Sequence, residues 1–87
     1  MPKVVFTHPV KDVAHWLSKH SERVEAFAEW RTNVVDYANA EGSKIVALSI
    51  DVRDMDAMKA SLESAEIATA KEAHGVLDPV VMFVASE

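Results

Sequence analysis

The 87-residue sequence has no cysteine, which excludes disulfide staples, thiolate metal centres and a cysteine nucleophile together. Glycine occurs twice and proline three times, at Pro2, Pro9 and Pro79, so there is no flexible linker and residues 1–87 read as one domain. No apolar run approaches the ~18 residues of a membrane helix, and no basic stretch leads into an apolar one as in a secretory leader. The expectation is a cytoplasmic protein with no membrane partner. Positive charge is also scarce: 9 Lys+Arg against 14 Asp+Glu leave a net charge of −5. That balance removes the attraction on which phosphate-backbone binding depends, so no nucleic-acid partner is expected. Nucleotide and acyl-transfer chemistry lack their signatures, since G-x-G-x-x-G, a P-loop and G-x-S-x-G do not occur. His15 and His20, five positions apart, fall ~140° apart on a helix and make no metal site.

The residues that are present give six elements. Lys3 to His8 is a β-branched and aromatic run stopped by Pro9, which reads as a first strand. Asp12 stands at an N-cap position, and Val13, Trp16, Leu17, His20, Val24 and Phe27 follow at helical spacing, predicting a helix from about Val13 to Ala28. Trp30 to Asn39 continues the stripe, but one helix of ~28 residues would be ~42 Å long. The cluster Thr32, Val34, Val35 and Tyr37 favours a strand there instead. Glu41-Gly42-Ser43 turns the chain into Ile45 to Val52, with Val46, Leu48, Ile50 and Val52 on one face and Ile45, Ala47, Ser49 and Asp51 on the other. Asp54 caps a second helix carrying Met55, Met58, Leu62 and Ala65, with a possible recap at Ser64 and an end at Gly75. Pro79 opens a last strand, Val80 to Ala85, apolar on both faces as for a strand covered from both sides.

The order βαββαβ gives an α+β, ferredoxin-like fold, a four-stranded antiparallel sheet with two helices on one face. Two helices cover only one side of such a sheet, and whichever way each strand is phased the other side here carries Val5, Ile45, Ala47, Val81 and Phe83 or their alternating neighbours. A domain of this size buries only ~60 to 65% of its unfolded surface. An apolar open face on so small a protein marks an interface, and a homodimer that closes two sheets into a barrel supplies it.

Several segments resemble a known family. His8-Pro9-Val10-Lys11-Asp12 followed by Trp16 is similar to the V-x-D-x-x-x-W start of helix one in the dimeric α+β barrel, antibiotic-biosynthesis-monooxygenase-like superfamily. Leu62-Glu63-Ser64-Ala65-Glu66, then Ala70 to Val76, then Asp78-Pro79 and an apolar strand resemble its L-x-S-x-E … A-G-V … P ending. The glycine common in that family between helix one and strand two is absent at Ala28 and Glu29. The resemblance implies a ferredoxin-like monomer and a homodimeric barrel. Its members include cofactor-independent oxygenases, haem-degrading monooxygenases and small isomerases or decarboxylases, so the fold does not choose a function. Ala70 to His74 also resembles the helix carrying the iron ligand of the haem-degrading members. Those use an Asn on strand one and a Trp at the end of strand three, and neither occurs here.

His8, on a strand face with Val4 and Phe6, is the first catalytic candidate, as a base near neutral pH or else a half-buried strand end. Asp51 is a second, unless it only marks an exposed strand end, and Tyr37 a third, as a donor beside the hairpin. Ser49, Trp16, Phe6 and His74 are candidate ligand-binding residues; the bland readings are a wet strand position, two core aromatics and a cation at a helix C-terminus. The leading expectation is a cleft between sheet and helices for a small apolar organic molecule, with cofactor-independent oxygenation or isomerisation, no cofactor and no metal. The alternatives are a non-catalytic ligand-binding or assembly module and a haem-binding or haem-degrading protein.

Overall fold

The computed structural model describes residues 2–26 and 28–86. Its strands, β1 Lys3–Pro9, β2 Arg31–Tyr37, β3 Ile45–Val52 and β4 Val81–Val84, form one antiparallel sheet in the order β2-β3-β1-β4. Four helical segments, α1 Val13–Ser18, α2 His20–Glu25, α3 Met55–Leu62 and α4 Ala65–His74, complete a ferredoxin-like α+β fold. No described helix is long and apolar enough to cross a membrane.

Alternation in the two central strands decides which face is covered. Pairing of Val4 with Ile50, Phe6 with Leu48 and His8 with Val46 aligns the even positions of β1 and β3 on one side. There Val4, Phe6, Val46, Leu48, Ile50 and Val52 are buried with Trp16 of α1 and Met58 of α3. The strand at residues 31–37 settles the ambiguous stretch in favour of extended chain. Its register slips between Thr32 and Val35, where Asn33 takes φ +52°, a left-handed conformation that asparagine tolerates better than most residues.

Local chemistry sets the helix ends. The Asp12 carboxylate accepts from His15 N (3.1 Å), Asp54 from Ala57 N (3.0 Å) and the Ser64 hydroxyl from Ile67 N (3.3 Å). Each satisfies an amide that the first helical turn leaves without an intrahelical partner. Gly75 closes α4 at φ +73°, the left-handed cap that favours glycine. The chain beyond it is laced to the end of β1 by Lys11 N to Gly75 O and Leu77 N to Pro9 O, both 2.9 Å.

Two expectations change. The single helix from Val13 to Ala28 is instead two short ones broken at Lys19, and the second ends at Glu25. The buried side then runs through Trp16 and Arg23, while Leu17 and Val24, assigned to the core stripe, face outward; Phe27, from the same stripe, lies outside the described residues. The last strand is not covered from both sides. β4 is an edge strand paired with β1, and its four residues are all exposed. An apolar pattern on both faces has the same appearance in a buried central strand and in an edge strand whose two sides are open.

Arg23 fastens the first helical pair to the sheet. Its Nε and Nη2 donate to the two oxygens of Asp36 on β2, and Nη2 also donates to the Trp16 carbonyl at 2.6 Å. The guanidinium lies 4.2 Å from the centre of the Trp16 ring. Both charged side chains are about as buried as the core, 7% exposed for Arg23 and 6% for Asp36. Removing one partner from such a pair strands the other charge. Asp36→Ala should therefore lower unfolding stability by about 3–5 kcal/mol in denaturant titrations, and the double change Arg23→Met with Asp36→Leu should cost less. Equal or additive losses would show that the pairing itself contributes little.

Candidate functional site

A cavity of about 120 Å³ opens between the sheet and the helices. Phe6 and His8 reach it from β1, Leu48 from β3, Trp16 and Arg23 from the first helical pair, and Ile67, Ala70, Lys71 and His74 from α4. These positions follow from the fold: even residues of β1 point toward the helices, and Lys71 and His74, three apart on α4, share a helix face. A wider groove near Ser61 and Ser64 is lined by Glu25, Glu29 and Glu66 and holds none of the expected site residues. The smaller cavity combines aromatic walls with titratable groups, the arrangement typical of ligand sites.

His8 is 6% exposed and meets Trp16 edge-on at 5.6 Å between ring centres. Its Nδ1 is 3.4 Å from the Pro9 carbonyl, to which only a protonated Nδ1 donates. That tautomer leaves the Nε2 lone pair with no protein partner among the described residues. Burial pushes the His8 pKa below its ordinary value, with Arg23 and Lys71 adding to the effect against the Pro9 contact, so the ring is neutral at pH 7. His74 is held differently. Arg23 Nη1 donates toward its Nδ1 at 3.4 Å, and its Nε2 lies 3.6 Å from a Glu22 carboxylate oxygen. Burial and then the Arg23 charge lower its pKa as well. Arg31 is pushed down to about 10 by burial and by Arg23 and stays cationic at neutral pH. Its Nε donates to the Ala26 carbonyl at 3.1 Å and its Nη2 to that of Arg23.

The structure brings together four of the seven expected residues, Phe6, His8, Trp16 and His74. It sends Tyr37, Ser49 and Asp51 to the other side of the sheet. Tyr37 and Ser49 bond each other through their hydroxyls at 3.1 Å. Asp51 accepts from the Asn33 amide at 2.7 Å and pairs with Lys3 at 3.2 Å. The Asn33 bond first, then Lys3, hold its carboxyl below the usual range, and a carboxylate so stabilised is a weak base at neutral pH. Arg23, Arg31 and Lys71 were missed as lining residues. The spacing from Trp16 to Arg23, two helical turns, was the available signal, but an arginine on a helix is ordinarily read as solvated. No described group of three or more His, Cys, Asp or Glu could hold a metal ion. Haem does not fit, because both His74 nitrogens face protein partners and a cavity of about 120 Å³, near the roughly 150 Å³ that holds one benzene, is far too small for a macrocycle.

No protein-family model matches the sequence, and no curated protein matches it significantly. Solved structures do match in shape. An antibiotic biosynthesis monooxygenase superposes with a TM-score of 0.67 at 12% identity, over 100% of this chain and 98% of its own. A Bordetella bronchiseptica protein provisionally named antibiotic biosynthesis monooxygenase gives 0.70 at 12% identity over 99% and 95%, and one from Deinococcus radiodurans so named gives 0.64 at 12% over 100% and 94%. The chain therefore has the ferredoxin-like fold of the antibiotic-biosynthesis-monooxygenase-like proteins, as the sequence resemblance implied.

Neutral His8 and His74 tie stability to pH. Their folded pKa values lie below 6.5, so between those values and about pH 7 the unfolded chain binds more protons than the folded one. Stability should be complete above about pH 7.5 and fall as pH drops through 6.5. Melting curves from pH 8 to 5 should show this fall, and His8→Gln with His74→Gln should flatten it. A wild-type melting temperature that holds or rises down to pH 5 would contradict the assignment. Asp51, shifted down as a carboxyl, contributes above its ordinary value and is lost only near pH 4 and below, outside this window.

Proposed function

We propose that this chain is a homodimeric α+β-barrel protein that takes a small, mostly apolar organic molecule into the cavity between sheet and helices. His8 acts there as the general base of cofactor-independent monooxygenation or isomerisation. One arrangement carries this reading: His8, whose Nδ1 is placed to donate to the Pro9 carbonyl and whose Nε2 has no protein partner among the described residues, borders a cavity walled by Phe6, Trp16 and Leu48. Such a base takes a proton from an activated C–H or O–H held against it, and apolar walls keep water from competing. In an isomerisation the proton returns to a second carbon. In a monooxygenation the substrate anion is oxidised by dioxygen, one oxygen atom entering the product and the other leaving as water. The volume limits the ligand's buried part to about one six-membered ring, and haem degradation has no support in it.

A non-catalytic binding module is the second reading. It is favoured by the absence of any Asp or Glu from the described lining residues, so that His8 has no paired carboxylate there.

The uncovered side of the sheet supports the dimer in this reading. Val35, Tyr37, Ile45, Val81 and Phe83 are all exposed on it, a number of large apolar side chains that monomeric proteins seldom leave open on one face. Sedimentation at micromolar concentration should give about twice 9.6 kDa, and Phe83→Asp should shift it toward monomer; a wild-type monomer sinks the barrel.

Phenol, a single ring bearing one acidic hydroxyl, is a suitable probe of the cavity. It should quench tryptophan fluorescence saturably, because Trp16 and Trp30 line the site. Ala70→Phe should fill the space and abolish the effect in a folded protein. His8→Gln should preserve phenol binding within a few fold while lowering any turnover about 100-fold or more. No saturable signal with wild-type protein would remove the cavity as a ligand site.

A further inference from the structure

The cavity walls carry charge of one sign. Arg23, Arg31 and Lys71 line it, and no Asp or Glu does among the described residues, although acids outnumber bases 14 to 9 in the chain. Composition alone would have favoured the opposite balance. The cationic groups also cluster. Lys71 lies one helical turn before His74 on α4, and His74 receives Arg23 Nη1 at 3.4 Å. The charges of both Arg23 and Lys71 act on His8, opposed by that of Asp36, which pairs with Arg23 from outside the lining.

Arg23 retains a donor there. A guanidinium has five N–H groups. Nε donates to Asp36, Nη2 uses both of its protons on Trp16 O and Asp36, and Nη1 spends one on the long contact to His74. One Nη1 proton has no partner among the described residues, on a side chain only 7% exposed. Lys71, by contrast, is 37% exposed and paired with Asp78 at 3.2 Å, itself 84% exposed. An ion pair so open to water is weak, and a second anion displaces Asp78 at little cost. The remaining walls, Phe6, Trp16, Leu48 and Ile67, are hydrocarbon.

Resting on the cavity reading above, we infer that the ligand is a small organic monocarboxylate. Its compact hydrocarbon body lies against Trp16 and Phe6, and its carboxylate is held at the α4 end between Arg23 Nη1 and Lys71. A single guanidinium N–H and an ammonium both favour an ionised oxygen over a neutral one, since hydrogen bonds between ionised partners are roughly twice as strong as neutral ones. The body is limited to about one ring by the 120 Å³ of space, with the charged end toward the partly exposed Lys71.

Three single-ring probes of similar size separate the possibilities: benzoate, its isostere benzamide, and the cation benzylamine, titrated into the wild-type protein at pH 7.5 and low salt and followed by tryptophan fluorescence and amide chemical shifts. Benzoate should bind at least about tenfold more tightly than benzamide, and benzylamine most weakly. Lys71→Gln, a change at a partly exposed position that spares the buried Arg23 network, should narrow the benzoate preference about threefold or more while leaving benzamide unchanged. Equal affinities for benzoate and benzamide, or a preference for benzylamine, would overturn the carboxylate assignment and leave the cavity reading standing. A benzoate preference untouched by Lys71→Gln would overturn the placement of the anion. Failure of all three to bind would overturn the cavity reading itself, and this inference with it.

Discussion

The Arg23–Asp36 pair is the constraint around which the covered side of the sheet is organised. α1 and α2 are six residues each, too short to be stable on propensity alone, and they present few apolar side chains inward. What holds them is one guanidinium that reaches the sheet through Asp36, α1 through the Trp16 carbonyl and ring, and α4 through His74. A buried charge pair is no efficient source of stability compared with hydrocarbon. It does supply direction, because five donors in a rigid fork admit few arrangements of their acceptors. His20 Nδ1, donating to the same Asp36 carboxylate at 2.9 Å, adds a second anchor from the first turn of α2.

The sheet then has two sides with different fates. The covered side carries the core and the cavity, and the polar residues His8, Arg23 and His74 are buried there. The open side carries Tyr37, Ser49 and Asp51, bonded among themselves and to Asn33 and Lys3, amid exposed valines, Ile45 and Phe83. Strand alternation enforces the division: side chains one apart in a strand never share a face. An active site that joined His8 with Asp51 or Tyr37 would have to pass through the sheet, so the titratable groups lining the cavity are His8, His74 and the cations beside them.

How far this was readable in the sequence depends on the range of the signal. The bounds of β3, the caps at Asp12, Asp54 and Ser64 and the stop at Gly75 were legible, since each is decided by chemistry within three or four residues. The faces of β3 were legible for the same reason, because a period of two leaves no other assignment. The break at Lys19 was not, as nothing in Ser18-Lys19-His20 ends a helix by composition. Missing it rotated the expected buried stripe from Arg23 to Val24. The partner that justifies burying Arg23 lies thirteen residues away on another element, and pattern reasoning has no access to that pairing. Ser49 and Asp51 were rightly assigned to the open side, yet the sequence could not say that His8 lay on the other, because the phase of β1 relative to β3 is a matter of register.

The same network that orders the helices also limits what the cavity does. Its walls include Trp16, which is at once a core residue, the surface under Arg23 and the edge partner of His8. Enlarging the space by trimming Trp16 would remove all three roles, so a wider ligand range conflicts directly with stability. Burial, with the Arg23 charge adding to it, lowers the pKa of both His8 and His74, which preserves the acceptor of His74 for Arg23 Nη1. Were His74 to take up a proton at Nδ1, it would face the guanidinium as a second cation without that hydrogen bond, with Glu22 Oε2 on its other nitrogen as the compensating charge. The docking of two short helices and part of the field on His8 thus both depend on one arginine, and a variant at that arginine should change both.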